Sequence, residues 1–206
     1  SSEDEATSSL EDNIRKGNYY RKGEEKGKGL IVTSDGWIFT TAFSPSVSNK
    51  EIKDDYRLVM ADNKTKKVDE VIRGENPDVV FLHLENTQDM SAVKLAEEEN
   101  IEEGSIAMAT YGGEKTLITT ITHRTLGAGL VRSSDVIQEE LGLAHDISSY
   151  YKGSSFLFNL NEEVIGVKEG DTDNIIPVSR LRSSVSSLLE SQEIKTPELG
   201  VHYIPL

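Results

Sequence analysis

Apolar positions along the chain come in short runs cut by Gly, Asp and Asn. GLIVTS (29–34) is followed by DGWIFTTAF (35–43), and the Asp35-Gly36 pair between them is a strong hairpin-turn signal. YRLVMA (56–61), ADNKTKK and VDEVIRG predict a second hairpin. VVFLHLE (79–85) reads as an apolar strand, and SIAMATY (105–111) starts a new one after a turn at Glu103-Gly104. TLITTITHRTL (116–126) is rich in Thr and Ile, which suit a pleated surface. SFLFNL and EEVIGVK predict another hairpin around Asn161. Strands therefore recur roughly every ten residues with no helix expected between them, the pattern of an all-β barrel or sandwich. One segment has helical spacing. SRLRSSVSSLLESQ (179–192) sets Leu181, Val185, Leu188 and Leu189 on one face, with Ser179 as the expected N-cap. Its serines are weak helix formers, so packing on the β body has to hold it.

Composition narrows the class. The 206 residues suit one globular unit or two small ones and suffice to bury a core. The chain has no cysteine, which excludes disulfides, thiolate zinc sites and a cysteine nucleophile. No apolar run approaches the ~20 residues of a membrane span. The opening SSEDEATSS lacks the basic and apolar regions of a signal peptide and reads as a polar linker following an upstream segment. With 22 Lys and Arg against 36 Asp and Glu, the net charge of −14 disfavours nucleic acid and anionic lipid as partners. RKGNYYRKGEEKGKG (15–29) is a local basic exception and reads as a solvated loop. No metal or cofactor is expected: His-x-x-His, His-Glu-x-x-His and EF-hand spacings are missing. DTDN (171–174) reads as a turn, and LGAGL (126–130) lacks the strand–helix context of a phosphate loop.

Six stretches, taken in order, resemble the trypsin-like protease domain of the HtrA/DegP family. GKGLIVTSDGWIFTTAF (27–43) is similar to the segment that ends in Thr-Asn-x-His, and YRLVMADNKTKKVDEVIRG to the strand pair after it. ENPDVVFLHL is similar to the Asp-Pro-x-x-Asp-Leu-Ala-Val-Leu motif, and IEEGSIAMATYGG to the Val-Gly-Asp-x-Val-x-Ala-Ile-Gly strand. LFNLNEEVIGV (157–167) resembles the strand pair after the nucleophile, the most specific match, and IIPVSRL the Ala-Ile-Pro segment that opens the terminal helix. TPELGVHYIPL (196–206) looks like the connection into a PDZ domain. The resemblance implies two packed antiparallel six-stranded β-barrels and a C-terminal helix. Its expected divisions are a polar arm over 1–26, a barrel domain over 27–195 and a PDZ connection over 196–206. Within the domain, barrel one would cover 27–92, barrel two 101–178 and the helix 179–192.

The resemblance also implies a Ser-His-Asp triad, in which Ser attacks, His carries the proton and Asp orients the imidazole. Its positions on this chain are largely emptied. The histidine position falls on Phe43, which accepts no proton, and Ala42 or Ser44 would serve no better. Asp78 stands at the aspartate position with no imidazole to orient. In the family the nucleophile loop reads Gly-Asn-Ser-Gly-Gly-Pro. Without gaps its nucleophile falls on Gly153 and its two glycines on Ser154 and Ser155; with one deletion it falls on Ser154. Phe156 replaces the proline, and the glycines that aim N–H groups at an oxyanion are reduced. The four histidines, His83, His123, His145 and His202, all read as partly exposed strand or linker residues, and Lys152 is a weak alternative base for Ser154.

The expectation is a domain of this family without proteolytic activity, in which Asp78 and Ser154 are vestigial. It would bind a peptide or protein outside the cytoplasm, with a membrane anchor upstream and a PDZ domain downstream. Family members often form trimers, so a homo-oligomer is a further expectation. Two alternatives stand beside it: a working serine endopeptidase with Ser154 as nucleophile, and a structural spacer between anchor and PDZ domain.

Overall fold

The computed structural model describes residues 27–62, 64–74, 79–111, 115–126, 139–144, 155–168 and 175–191. They form twelve strands in three antiparallel sheets, of four, two and six strands, the first two in the first half of the chain and the third in the second. The first half contains β1 (Leu30–Ile31), β2 (Trp37–Thr40), β3 (Leu58–Val59), β4 (Thr65–Lys66), β5 (Val68–Arg73) and β6 (Val80–Leu84). The second contains β7 (Ile106–Tyr111), β8 (Lys115–Leu126), β9 (Glu139–Leu143), β10 (Ser155–Phe158), β11 (Val164–Lys168) and β12 (Ile175–Pro177). Helix α1 (Asn49–Asp55) lies between β2 and β3, and α2 (Val178–Ser191) closes the described chain.

The Asp35-Gly36 turn forms as the sequence predicts. Gly36 has φ 109°, open to glycine alone at low cost, and Thr33 caps the turn by accepting from the Trp37 N–H at 3.0 Å. The second hairpin is narrower than expected. β3 pairs with β4 as a two-stranded ribbon, while VDEVIRG forms β5 and pairs with β6 instead. The four remaining strands make one sheet in the order β1-β2-β6-β5, and Leu58 and Met60 of the ribbon region pack against its core. In the second half the order is β12-β11-β10-β7-β8-β9. The outer strands of that sheet meet through Leu141 and Ile175 in a common core, which nearly closes a barrel.

Central strands carry continuous apolar runs because both of their faces are buried. On β6, Val80, Leu82 and Leu84 face the core of barrel one, while Phe81 faces the second barrel. On β10 and β11, Leu157 and Ile165 fill barrel two, while Phe156, Val164 and Val167 turn toward the first. The seam between barrels joins Trp37, Phe39 and Phe81 to Phe156 and Val167, with the Phe39 and Phe81 rings edge to face at 5.5 Å. Helix α2 covers this seam with Leu181, Val185 and Leu188. Its Arg182 donates to the carbonyls of Leu95 and Ala96 at 3.2 and 2.7 Å, clasping the inter-barrel connection. That connection also bonds both barrels: the Val93 N–H donates to Ile31 O, and the Ala96 N–H to Val164 O.

Three local expectations are corrected. Leu189 is 61% exposed and lies off the packed helix face. Ser179 sits inside the first turn, because α2 begins at Val178 directly from β12. A helix does interrupt the strands: α1 starts at Ser48, whose hydroxyl accepts from the Glu51 N–H at 3.1 Å. Its Ile52 is wholly buried in barrel one.

Candidate functional site

The described chain brings three separate stretches to one place on the seam. β2 and β6 run antiparallel with Thr40 opposite Val80, so the segment leading to Phe43 leaves where β6 begins. One residue beyond that pair, the Thr41 hydroxyl donates to the carbonyl of Lys168 at the end of β11, 3.4 Å away. Lys168 in turn stands opposite Ser155, the first residue of β10. Positions 43, 78 and 154 are therefore each within three residues of this meeting point along the chain. Asp78, Lys152, Gly153, Ser154, His145 and His202 themselves lie outside the described residues, as do DTDN and the stretch 196–206.

Phe43 is described, and its ring does not stand free in a cleft. It is 8% exposed and belongs to the barrel-one core with Ile38, Ile52, Val80 and Leu82. The Tyr56 ring meets it edge to face at 5.0 Å and 89°. Arg73 pins the backbone that follows: its guanidinium donates to Val47 O at 2.6 Å and to the Asn49 side chain at 3.1 Å, with longer bonds to Phe43 O and Ser44 O. An aromatic ring here performs the work of core packing and has no lone pair to accept a proton.

Ser155 is the hydroxyl nearest the sequence-predicted nucleophile that the structure describes. It is wholly enclosed, and its Oγ has no hydrogen-bond partner among the described residues, so no imidazole there reaches it. The two described histidines are engaged elsewhere. His83 Nδ1 lies 2.7 Å from Asp69 Oδ1 on the half-exposed face of β6, with its ring against Trp37 at 5.0 Å. His123 is exposed on β8, beside the Thr122 hydroxyl. Among the described residues there is no group of three metal-ligating side chains. No described helix is long and apolar enough to cross a membrane.

Sequence reasoning missed Thr41 and Lys168. Lys168 has a fully buried side chain, one of the largest such residues in the protein. Its signal was its place as the fifth residue of the strand VIGVK, where alternation puts it on the same face as Gly166 and opposite Val167.

No family model matches the chain. Among curated proteins, it is 25% identical over 186 residues to the periplasmic serine endoprotease DegP of Salmonella typhimurium, covering 84% of this chain and 39% of that protein. DegP of Escherichia coli K12 gives 25% over 190 residues, covering 85% and 38%. The probable serine protease do-like of Buchnera aphidicola (subsp. Acyrthosiphon pisum) gives 23% over 187 residues, covering 85% and 38%. The chain thus spans under two fifths of the length of these relatives. Among solved structures, the HtrA-type protease AlgW with a decapeptide superposes with TM-score 0.54 at 14% identity, covering 82% of this chain and 53% of that one. An alanine variant of AlgW with a decapeptide gives 0.56 at 16%, covering 88% and 56%. Both show the fold. Strand order, seam and relatives agree: the chain carries an HtrA-like trypsin-fold domain.

Proposed function

We propose that this domain keeps the trypsin fold without its proteolytic chemistry and serves as a peptide- or protein-binding unit, with the seam between the barrels as the contact region. The observation that carries this reading is the ring of Phe43, packed into the barrel-one core where the resemblance puts the general base. Losing the base alone removes most of the rate of an acyl-transfer enzyme, because serine stays protonated and the leaving group finds no acid. The AlgW structures hold a decapeptide, which supports peptide as the ligand class for this fold. The DegP relatives are named periplasmic, which supports a place outside the cytoplasm for this chain. An upstream anchor, a downstream PDZ domain and self-association belong to the same reading, as does the vestigial character of Asp78 and Ser154.

The test is chemical. An activated fluorophosphonate attacks a serine only when a base and an oxyanion site activate it. Intact-mass analysis of this chain after incubation is expected to show no adduct, with trypsin labelled in parallel. An adduct abolished by Ser154→Ala or Ser155→Ala overturns the reading and makes the domain a serine hydrolase. In a peptide-display selection the unlabelled domain is expected to enrich specific sequences; failure to enrich any would favour a spacer.

A further inference from the structure

One face of barrel two stays apolar after it leaves the seam. Phe158 of β10, at the edge of the seam cluster, stands opposite Met108 of β7, and Met108 stands opposite Ile118 of β8. Opposed residues on neighbouring strands share a face, so these three form a row across the outside of the sheet, with Ile106 diagonal to Ile118. The alternate positions Ala107, Ala109 and Leu157 fill the barrel instead. Solvent reaches the row: Ile118 is 65% exposed, Ile106 41%, and Leu160, in the turn directly after β10, 66%. Thr116 and Thr120, two residues to either side of Ile118, occupy the same face, so the strand accepts small polar side chains there. The fold does not require the large apolar ones.

Negative charge gathers at one end of this face. Because β10 and β7 run antiparallel, the turn after β10 lies beside the turn before β7. The first carries Glu162 and Glu163, the second Glu102 and Glu103. The inter-barrel connection reaches the same end through the bonds of Lys94 and Ala96 with Val164, and adds the glutamates of the run 97–99. Arg182 pairs with Glu97 at 3.1 Å and Lys94 lies in the same connection, so the glutamates stay in excess. We infer that this face docks a segment of a partner protein that sets large apolar side chains beside a flank of lysine or arginine. Its apolar groups cover the row from Phe158 to Ile118 and supply the affinity. Its basic flank lies over the glutamates and supplies the selectivity. The net charge of −14 draws such a segment in and repels acidic ones, a second copy of this chain included. This surface lies outside the seam contact proposed above and stands without it.

The probe is a short fluorescein-labelled synthetic peptide with three leucines beside three lysines, titrated with the full chain by anisotropy. It is expected to bind, while analogues with the leucines replaced by serine, or the lysines by glutamate, bind roughly tenfold more weakly. Ile106→Thr with Ile118→Thr is expected to weaken the probe by a similar factor and leave the thermal melt unchanged, since both side chains already face water. Leu160→Ser, in a turn, is the second variant should that pair melt early. Glu102→Gln with Glu162→Gln is expected to narrow the gap between lysine and glutamate peptides severalfold and keep the dependence on leucine. Equal binding of the leucine and serine peptides assigns the affinity to net charge and overturns the docking face. Wild-type affinity in the Ile and Leu variants places the contact elsewhere and overturns it too, as does failure of the probe to bind. A wild-type dimer in sedimentation that Ile118→Thr dissociates makes a second copy the occupant and overturns the basic partner. None of these outcomes bears on peptide binding at the seam, which the display selection tests.

Discussion

Replacing Phe43 separates a packing role from a catalytic remnant. The ring is buried among Ile38, Ile52 and Leu82, so Phe43→Ala removes a large apolar side chain from a filled core. Such truncations cost about 3–5 kcal/mol, the spread set by how far the site collapses. Here the low end applies. Tyr56 is only partly buried and can lean inward, though Arg73 holds the following backbone and limits wider collapse. The edge-to-face pair with Tyr56 accounts for ~1 kcal/mol of the loss. Phe43→His keeps much of the footprint but buries ring nitrogens beside apolar neighbours, at a cost on the order of 2 kcal/mol. Urea unfolding followed by the fluorescence of Trp37, the one tryptophan, measures all of these. A double-mutant cycle with Tyr56→Ala should return the pair term as coupling. A cost under ~1 kcal/mol for Phe43→Ala with no coupling to Tyr56 would mean that the ring is not packed in the barrel-one core. A gain of peptide hydrolysis in Phe43→His would show instead that the position faces the reacting serine and not the core.

Two further outcomes follow from local geometry. A Cβ at Gly166 would come within 2.9 Å of Ile175 Cγ2 and 3.2 Å of Ile176 O, so Gly166→Ala must push β12 outward; a loss of about 1–3 kcal/mol by the same urea assay is expected, and none would show that β11 and β12 are loosely joined. Asp62 is exposed, and the hydrogen bond from the Lys64 side chain holds its carboxyl below the ordinary value. A depressed folded value means that its small contribution is present above the unfolded value and lost as pH falls through the folded one. Carboxyl NMR titration should place Asp62 below its midpoint in Lys64→Ala, and identical midpoints would remove the pair.

The strand pattern was legible because this fold turns often and marks its turns. Asp35-Gly36, Glu103-Gly104 and Asn161 each sit where a chain reverses, and Gly36, Gly104 and Glu162 adopt positive φ there. Helix α1 escaped notice although its signal is present. Ser48 and Glu51 stand at capping-box spacing, but seven residues hold too few apolar positions to show a period. β9 was missed because EELGL carries few apolar residues, and only Leu141 among its described side chains is buried. Which strands share a sheet was not legible: β5 joins β6, not the ribbon before it, and that choice is made by tertiary packing of Val68 and Val71. For the site, the residue types at 43, 78 and 154 could be read from sequence, whereas the inward turn of Phe43 could not. Nor could the approach of Thr41 to Lys168, since the two are 127 residues apart in the chain.

If the chain has lost the chemistry of its fold, as proposed, the seam explains how the fold outlives it. Trp37, Phe39, Phe81, Phe156 and Val167 bury apolar surface between the barrels whether or not a reaction takes place there. An active site asks the same wall to hold polar groups away from their preferred partners, which costs stability. On the reading proposed here, an aromatic ring at position 43 returns that cost to the barrel-one core and locks the end of β2 in place through Tyr56 and Arg73. On that reading, substitution toward packing at position 43 removes the selection that maintained the other positions of the triad. Ser155, the first residue of β10, and Lys168 opposite it lie enclosed on the face that carries Leu157 and Gly166. On that reading a seam without proton-transfer chemistry can still discriminate ligands, because selectivity requires placed charge and shape but no proton transfer.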